Sequence, residues 1–365
     1  MLAKGIEKRG HQVEIWAPKP MLHRIPLPPY LRKWLGYIDQ FLLFPAKVRS
    51  RLMRCADDAL FVFTDNGLGP WVPLVANRRH AIHCHDFLAQ LSALGEVAEI
   101  RVGWTGRLYQ AYIRRGYAKG KNFISVSSRT REELHRLLKT SPRISEVVYN
   151  GLNGNFCVQN PGLARARLGE ATGLDLTQGY ILHVGGNEWY KNRRGVIEIY
   201  NAWRDGSHLR LPLLLVGHKP SADLSVLHTQ SPHKDDIHWL SGIDDDTLRL
   251  AYAGAAVLLF PSLAEGFGWP IAEAMACGCP VITTDEAPMT EVAGEAGFLI
   301  PRRPESQQAI SVWSLEAAKV VDQILSLPAE EREKIILLGL VNAQRFSTEQ
   351  HLNQVEKIYQ RIVTP

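Results

Sequence analysis

No run of 18 or more apolar residues occurs in the 365-residue chain, and a helix needs about 20 to cross the hydrocarbon layer of a bilayer. The opening residues also lack the pattern of a secretory leader, a charged start followed by an apolar core and a small-residue cleavage site. A protein that is neither secreted nor membrane-spanning is therefore expected, resident in the cytoplasm. Cysteine is scarce. The five present, Cys55, Cys84, Cys157, Cys277 and Cys279, are odd in number and contain no Cys-x-x-Cys pair, so neither a disulfide framework nor a structural zinc is expected, and a reducing compartment is. Internal repeats, low-complexity tracts and recognised nucleic-acid motifs are absent too, which sets aside solenoids and RNA or DNA partners. What remains, 45% hydrophobic and 22% charged residues, describes a globular protein whose length suits two domains of roughly 150 to 200 residues each.

Charge is unevenly placed. Residues 1–150 hold 24 Lys and Arg against 12 Asp and Glu, whereas residues 151–365 hold 18 against 25, so the net +5 conceals a basic half and an acidic half. An anionic partner for the basic half follows, and anionic lipid or a phosphorylated acceptor fits better than nucleic acid. Within residues 30–54, Leu31, Trp34, Leu35, Ile38, Phe41, Leu42 and Phe44 recur at helical spacing among Arg32, Lys33, Lys47, Arg49, Arg51 and Arg54. Such a basic, aromatic, amphipathic segment suits an anionic membrane surface. A helix packed on its own sheet with its cations in solvent would show the same pattern.

The chain is organised around residues 255–284. The apolar run 257–260 is short enough for a buried strand, and Pro270 sits where a first helical residue belongs, because its missing N–H has no helical partner there. Gly278 closes the helix and the β-rich run 280–284 follows, giving a short βαβ crossover in a parallel sheet. In the loop before the helix, Gly266 and Gly268 keep side chains clear, so backbone N–H groups at a helix N-terminus can approach an anion and the dipole favours its charge. That makes a seat for a phosphate or diphosphate. Glu265 and Glu273 flank it, the second expected in the first helical turn, and carboxylates beside an anion site suit hydrogen bonds to hydroxyls. Singly, each piece has a structural explanation: a tight turn, or an acid placed for the dipole.

Taken together, Glu265-Gly266-Phe267-Gly268-Trp269-Pro270, the Glu-x7-Glu spacing, and Glu273-Ala274-Met275-Ala276 followed by Gly278 and Pro280-Val281 closely resemble the signature of the retaining, two-domain (GT-B) glycosyltransferases of family 4. The resemblance implies an α/β protein of two Rossmann-like domains facing across a cleft. Residues 1–152 would form the acceptor-side domain and 153–346 the nucleotide-sugar domain, with a helix at about 347–365 crossing back to the first. The implied reaction moves a hexosyl unit, mannosyl or glucosyl, from a nucleoside diphosphate sugar to a hydroxyl of a glycan or lipid-linked acceptor with retention, as in cell-surface polysaccharide synthesis. No cofactor and no metal are implied. By resemblance, Glu273 binds the ribose hydroxyls, Glu265 a donor-sugar hydroxyl, and the amides of Phe267 to Trp269 the diphosphate. Two other readings stay open: a nucleotide-sugar epimerase or hydrolase on the same architecture, and a catalytically weak nucleotide-sugar-binding subunit.

A second glycine loop follows the strand expected at 180–184: Gly185-Gly186-Asn187-Glu188-Trp189-Tyr190-Lys191-Asn192. Lys191 matches the lysine that holds the donor diphosphate in relatives, with Gly185, Gly186 and Asn187 beside it. Many relatives carry an arginine where Gly186 stands, so Arg193 or Arg194 is the candidate second cation. In the first domain His85, at the end of the strand expected at 81–84, matches the histidine that contacts the donor sugar. His83 shares its face, but no third and fourth zinc ligand is evident. Asp244, Asp245 and Asp246 could suggest a divalent-metal Asp-x-Asp motif, yet they precede Leu248, Ala251 and Tyr252 at helical spacing and read as an N-cap and first turn.

At the amino end, Leu2, Ile6 and Gly10 look like the last turns of a helix and residues 12–17 like a strand. The strand and glycine-rich loop that precede this helix in relatives are missing here, so the first domain is expected to lack its first strand. Further strands are expected at 59–64, 122–128 and 146–149, Ser128 as the N-cap of the helix after it, and the interdomain turn at 150–154.

Overall fold

Runs such as Leu213–Gly217 and Val257–Phe260 are short and apolar throughout, the pattern of strands covered on both faces. In the computed structural model, which describes residues 2–152 and 155–364, the strands among the described residues assemble into two separate parallel sheets. They belong to two units, residues 1–149 with 349–365 and residues 150–348. The chain thus changes unit at 149/150, three residues before the boundary placed from sequence. Asn153 and Gly154 of the expected interdomain turn lie outside the described residues.

The first unit holds β1 (Phe61–Phe63), β2 (His80–Cys84), β3 (Asn122–Ser125) and β4 (Ile144–Val147), side by side in that order. Alternation along each strand sends neighbouring side chains to opposite faces. Ile82, Cys84 and Phe123 join a core with Phe87, Ile113 and Tyr117, while Ala81 and Ile124 pack with Val355, Ile358 and Ile362 of the last helix, Thr348–Val363. That helix therefore belongs to the first unit, as the resemblance implied.

Residues 12–17 form no strand. A strand needs a neighbour for its N–H and C=O groups, and among the described residues this segment has no ladder partner: Ile15 is 76% exposed and Trp16 rests edge-on against Phe61 at 5.7 Å. The segment expected to be amphipathic is helical over Pro29–Ile38, Asp39–Leu43 and Phe44–Leu52, the middle piece a π-turn. Its side chains divide between burial and solvent. Phe44 and Val48 are buried, Phe44 against Trp71 at 5.0 Å, whereas Trp34 and Leu42 are each 65% exposed. The cap of the helix Ser128–Leu137 is Ser127 rather than Ser128; its hydroxyl accepts from the Thr130 amide. Among the described residues, no helix is long and apolar enough to cross a membrane.

The second unit contains β5 (Ile181–Gly185), β6 (Leu213–Gly217), β7 (Ile237–Ser241), β8 (Val257–Phe260), β9 (Val281–Thr284) and β10 (Gly297–Ile300) in the order β10-β9-β8-β5-β6-β7. Chain order runs outward in both directions from the β5–β8 pair. In doubly wound sheets the crevice at this switch point, outside the carboxyl ends of the strands, is where ligands bind. Both glycine loops leave from these two strands.

Candidate active site

Beyond Phe260 the chain turns through the loop 261–268 into the helix Trp269–Ala276. Gly268 has φ +107° at the N-cap and offers no side-chain cap, so a residue with a Cβ would be strained there and the helix N-terminus is left open to a ligand. Phe267 is buried edge-on between Trp269 and Phe346, 5.4 Å from each ring, which anchors the loop from below. Glu273 falls in the second turn of this helix, not the first.

The two loops meet through an ion pair. Lys191 Nζ donates to Glu265 Oε1 at 2.7 Å, with side-chain exposures of 16% and 9%. Ser262 Oγ donates to the same oxygen at 2.7 Å. The lysine also sits 5.3 Å from the Phe260 ring centre and 5.4 Å from that of Tyr190, where the ring faces attract the cation. Glu273 Oε2 accepts from Tyr252 OH at 2.7 Å. Burial pushes the Glu273 carboxyl above its ordinary range, against the opposing pull of the Tyr252 hydroxyl and the Lys191 charge.

In the loop 185–192, a Cβ at Gly185 would stand 3.2 Å from both His183 Nε2 and Lys191 Cδ and press on the lysine stem, whereas one at Gly186 would meet only the flexible carboxylate end of Glu188. Asn187 does not face outward as a ligand: its Nδ2 donates to Lys219 O at 2.7 Å and its Oδ1 accepts from Arg193 at 2.8 Å. Arg193 is likewise no substitute for the missing arginine. Its guanidinium is buried and donates to Gly185 O, Val216 O and His218 O at 2.5, 3.0 and 2.7 Å. Burial pulls its pKa down to about 10, so it stays charged at neutral pH and clamps the ends of β5 and β6 together. Arg194 is half exposed and faces Asp223 at 3.6 Å.

A rigid fork satisfying carbonyls from two strand ends has no equivalent in a shorter or single-point cation. Arg193→Ala is expected to lower stability by about 3 kcal/mol, since several buried acceptors lose their donor. Arg193→Lys should recover only part of it. Urea denaturation checks this, and wild-type midpoints in both variants would contradict the clamp.

Asp244 caps the helix Asp245–Gly254 by accepting from the Thr247 amide at 2.8 Å, so the aspartate run is the cap and first turn expected. Among the described residues, no cluster of three or more His, Cys, Asp or Glu could hold a metal. In the first unit, His83 is buried, shares a 2.7 Å hydrogen bond with Tyr359 OH and is held neutral by burial, its pKa lowered to about 3. That makes it a packing residue. His85 lies nearer the surface; its Nε2 donates to Thr64 O at 2.9 Å and its amide to Asn66 Oδ1 at 3.2 Å.

Ser262 and Tyr252 were not singled out from sequence. Ser262, three residues before Glu265 at a strand end, carried a local signal; Tyr252, on another helix, carried none. His183 was missed as well. It is wholly buried in β5, Nδ1 donates to Leu259 O at 3.0 Å, and Nε2 has no partner among the described residues.

Known proteins resemble the chain in both halves. A family described as "Glycosyltransferase Family 4" matches residues 1–155, and one described as "Glycosyl transferases group 1" matches residues 178–315. O-antigen chain mannosyltransferase B of Escherichia coli is 33% identical over 184 residues, 50% of this chain and 46% of that protein. Phosphatidyl-myo-inositol mannosyltransferase of Mycobacterium leprae is 26% identical across 100% of this chain and 91% of its own length. The chain spans about half the length of the first two curated relatives it matches, 46% and 51%. Among solved structures, Anabaena HepE in complex with UDP and glucose superposes with a TM-score of 0.68 at 18% identity, covering 96% of this chain and 87% of that one. That likeness is one of fold.

Proposed function

Because the chain belongs to glycosyltransferase family 4, we propose that it moves a hexosyl unit, mannosyl in the first instance, from a nucleoside diphosphate sugar to a hydroxyl of a glycan or lipid-linked acceptor. The observation that carries this reading is the Lys191–Glu265 pair, joined at 2.7 Å between the two glycine loops at the sheet's switch point. The named mannosyltransferase relatives support the choice of sugar.

In the reaction the bond from the anomeric carbon to the diphosphate oxygen breaks, a bond to the acceptor oxygen forms with retention of configuration, and the acceptor hydroxyl's proton leaves with the diphosphate. Charge gathers on the departing diphosphate. An ammonium has three N–H donors, so Lys191 can keep Glu265 and still reach phosphate oxygens, while the amides at the start of the helix Trp269–Ala276 meet the rest. Preorganised donors of this kind supply the largest share of rate acceleration in such sites. Glu265, oriented by Lys191 and Ser262, accepts from a donor-sugar hydroxyl, and Glu273, oriented by Tyr252, from the ribose. The family resemblance alone assigns His85 to the donor sugar.

A panel of GDP- and UDP-sugars screened by thermal shift, followed by NMR of the anomeric centre in the product, tests the proposal. Inversion would remove the retaining mechanism, and free sugar or an epimer from donor alone would favour a hydrolase or epimerase. Nucleotide binding without turnover on any acceptor would leave a binding subunit. Turnover should survive EDTA, because the aspartate run is a helix cap; activity lost to EDTA and restored by Mn²⁺ would refute metal independence.

The same reading places the protein in the cytoplasm, at the inner face of the membrane, through residues 30–54. Exposed Trp34 and Leu42 stand among Arg32, Lys33 and Lys47. Binding to anionic vesicles should weaken steeply with salt, since screening shortens the reach of exposed charges. Equal sedimentation with neutral and anionic vesicles would count against it.

A further inference from the structure

A surface cavity of about 510 Å³ lies in the first unit and is lined by Lys19, His23, Arg32, Lys33, Tyr37 and Asp39 among others. Its walls are tied together. The amides of Met21, Leu22 and His23 donate to the buried Asp39 carboxylate at 3.1, 2.9 and 2.9 Å, and His23 Nδ1 donates to Arg32 O at 3.0 Å. Gly36 lets that ring dock, since a Cβ there would stand 3.2 Å from His23 Nδ1.

The charges do not balance. Asp39 is the one acidic residue between Glu14 and Asp57, and its carboxylate is engaged by three N–H groups. Lys19, Arg32 and Lys33 have no carboxylate partner among the described residues; Lys33 Nζ lies only over the Tyr37 ring, 6.0 Å from its centre. Three exposed cations around one cavity suit a group with several acceptor oxygens and more than one negative charge. Exposed Met21, Leu31 and Trp34 next to it in sequence offer an apolar approach.

We propose that this cavity binds the diphosphate of a lipid-linked acceptor. The proposal rests on the transferase reading above and names what its acceptor must carry. A free diphosphate would satisfy the same cations, so the test separates the two sources.

Hydrogen exchange of residues 18–40 is followed with and without inorganic pyrophosphate, for the wild type and for K19Q/R32Q/K33Q. Exchange should slow several-fold in the wild type and stay unchanged in the variant. Phosphatidylcholine vesicles doped with polyprenyl diphosphate should lose at least ~10-fold in affinity for the variant, and vesicles of matched charge carrying phosphatidylglycerol much less. Equal losses on both vesicles, or no pyrophosphate protection in the wild type, would overturn the pocket; protection without any preference for the diphosphate lipid would overturn the lipid-linked source. Thermal shift by nucleotide sugar should be the same in both proteins. If neither responds, the transferase reading fails by itself, while the exchange data still decide the cavity.

Discussion

Glu273→Gln is expected to weaken nucleotide-sugar binding about 10- to 100-fold while leaving the free protein as stable as the wild type or more so. The first half follows from the loss of charge-assisted hydrogen bonds to hydroxyls, worth roughly 1.5–3 kcal/mol. The second follows from the buried carboxyl, whose pKa lies above its ordinary value chiefly because of desolvation. A carboxyl raised on folding binds its proton more tightly in the native state, so its ionised form is penalised. That penalty is absent below the ordinary carboxylate range, grows as pH rises towards the raised value and is complete above it. Glutamine removes it at neutral pH and keeps an acceptor for Tyr252 OH, so Tm should stay level or rise. The wild type should also lose donor affinity on acidification at a higher pH than an exposed glutamate would allow, and the variant should not. Calorimetric titration and thermal denaturation against pH check both halves. Undiminished affinity in Glu273→Gln would remove the ribose assignment, and a lower Tm would show that the carboxylate stabilises the fold.

Glu265→Ala is expected to abolish transfer yet keep or strengthen nucleoside diphosphate binding, because Lys191 then loses a competing carboxylate. Lys191→Ala should weaken diphosphate binding and lower kcat by about 10²- to 10³-fold, the loss typical of one preorganised donor at a site of developing charge. Their 2.7 Å contact makes the two effects non-additive, so the double variant should resemble the worse single one. Wild-type turnover in Glu265→Ala would sink the site. Additive losses would mean that the pair does not act as a unit. Ser262→Ala, which removes the second donor to Glu265 Oε1, should fall between wild type and Glu265→Ala in kcat.

Where chemistry lies within a few consecutive residues, the sequence by itself determined the outcome. Apolar runs became β5, β6, β8 and β9; Pro270 stands at the helix start and Gly278 at its end with φ +77°; Asp244 caps its helix. Each depends on a dihedral preference or on a hydrogen bond reaching two or three residues, which the order of residue types dictates. The capping residue slipped by one, from Ser128 to Ser127, because two adjacent serines offer the same hydroxyl and only backbone φ and ψ decide which is used.

Partnership was decided elsewhere. Lys191 and Glu265 are 74 positions apart and Tyr252 and Glu273 21 apart, and what brings the first pair together is that β8 lies beside β5 in the sheet. Arg193 and Lys191 are equally basic as letters. Strand order puts Arg193 under three carbonyls and Lys191 at the loop surface beside Glu265. His83 lies within β2 and His85 just beyond its end, and the helix Thr348–Val363 buries the first through Tyr359. The segment 12–17 has strand composition and, among the described residues, no ladder partner, so its composition alone could not make it a strand. In each case the deciding quantity was burial or pairing with a distant segment, set by how the sheets are wound and carried by no short stretch of chain.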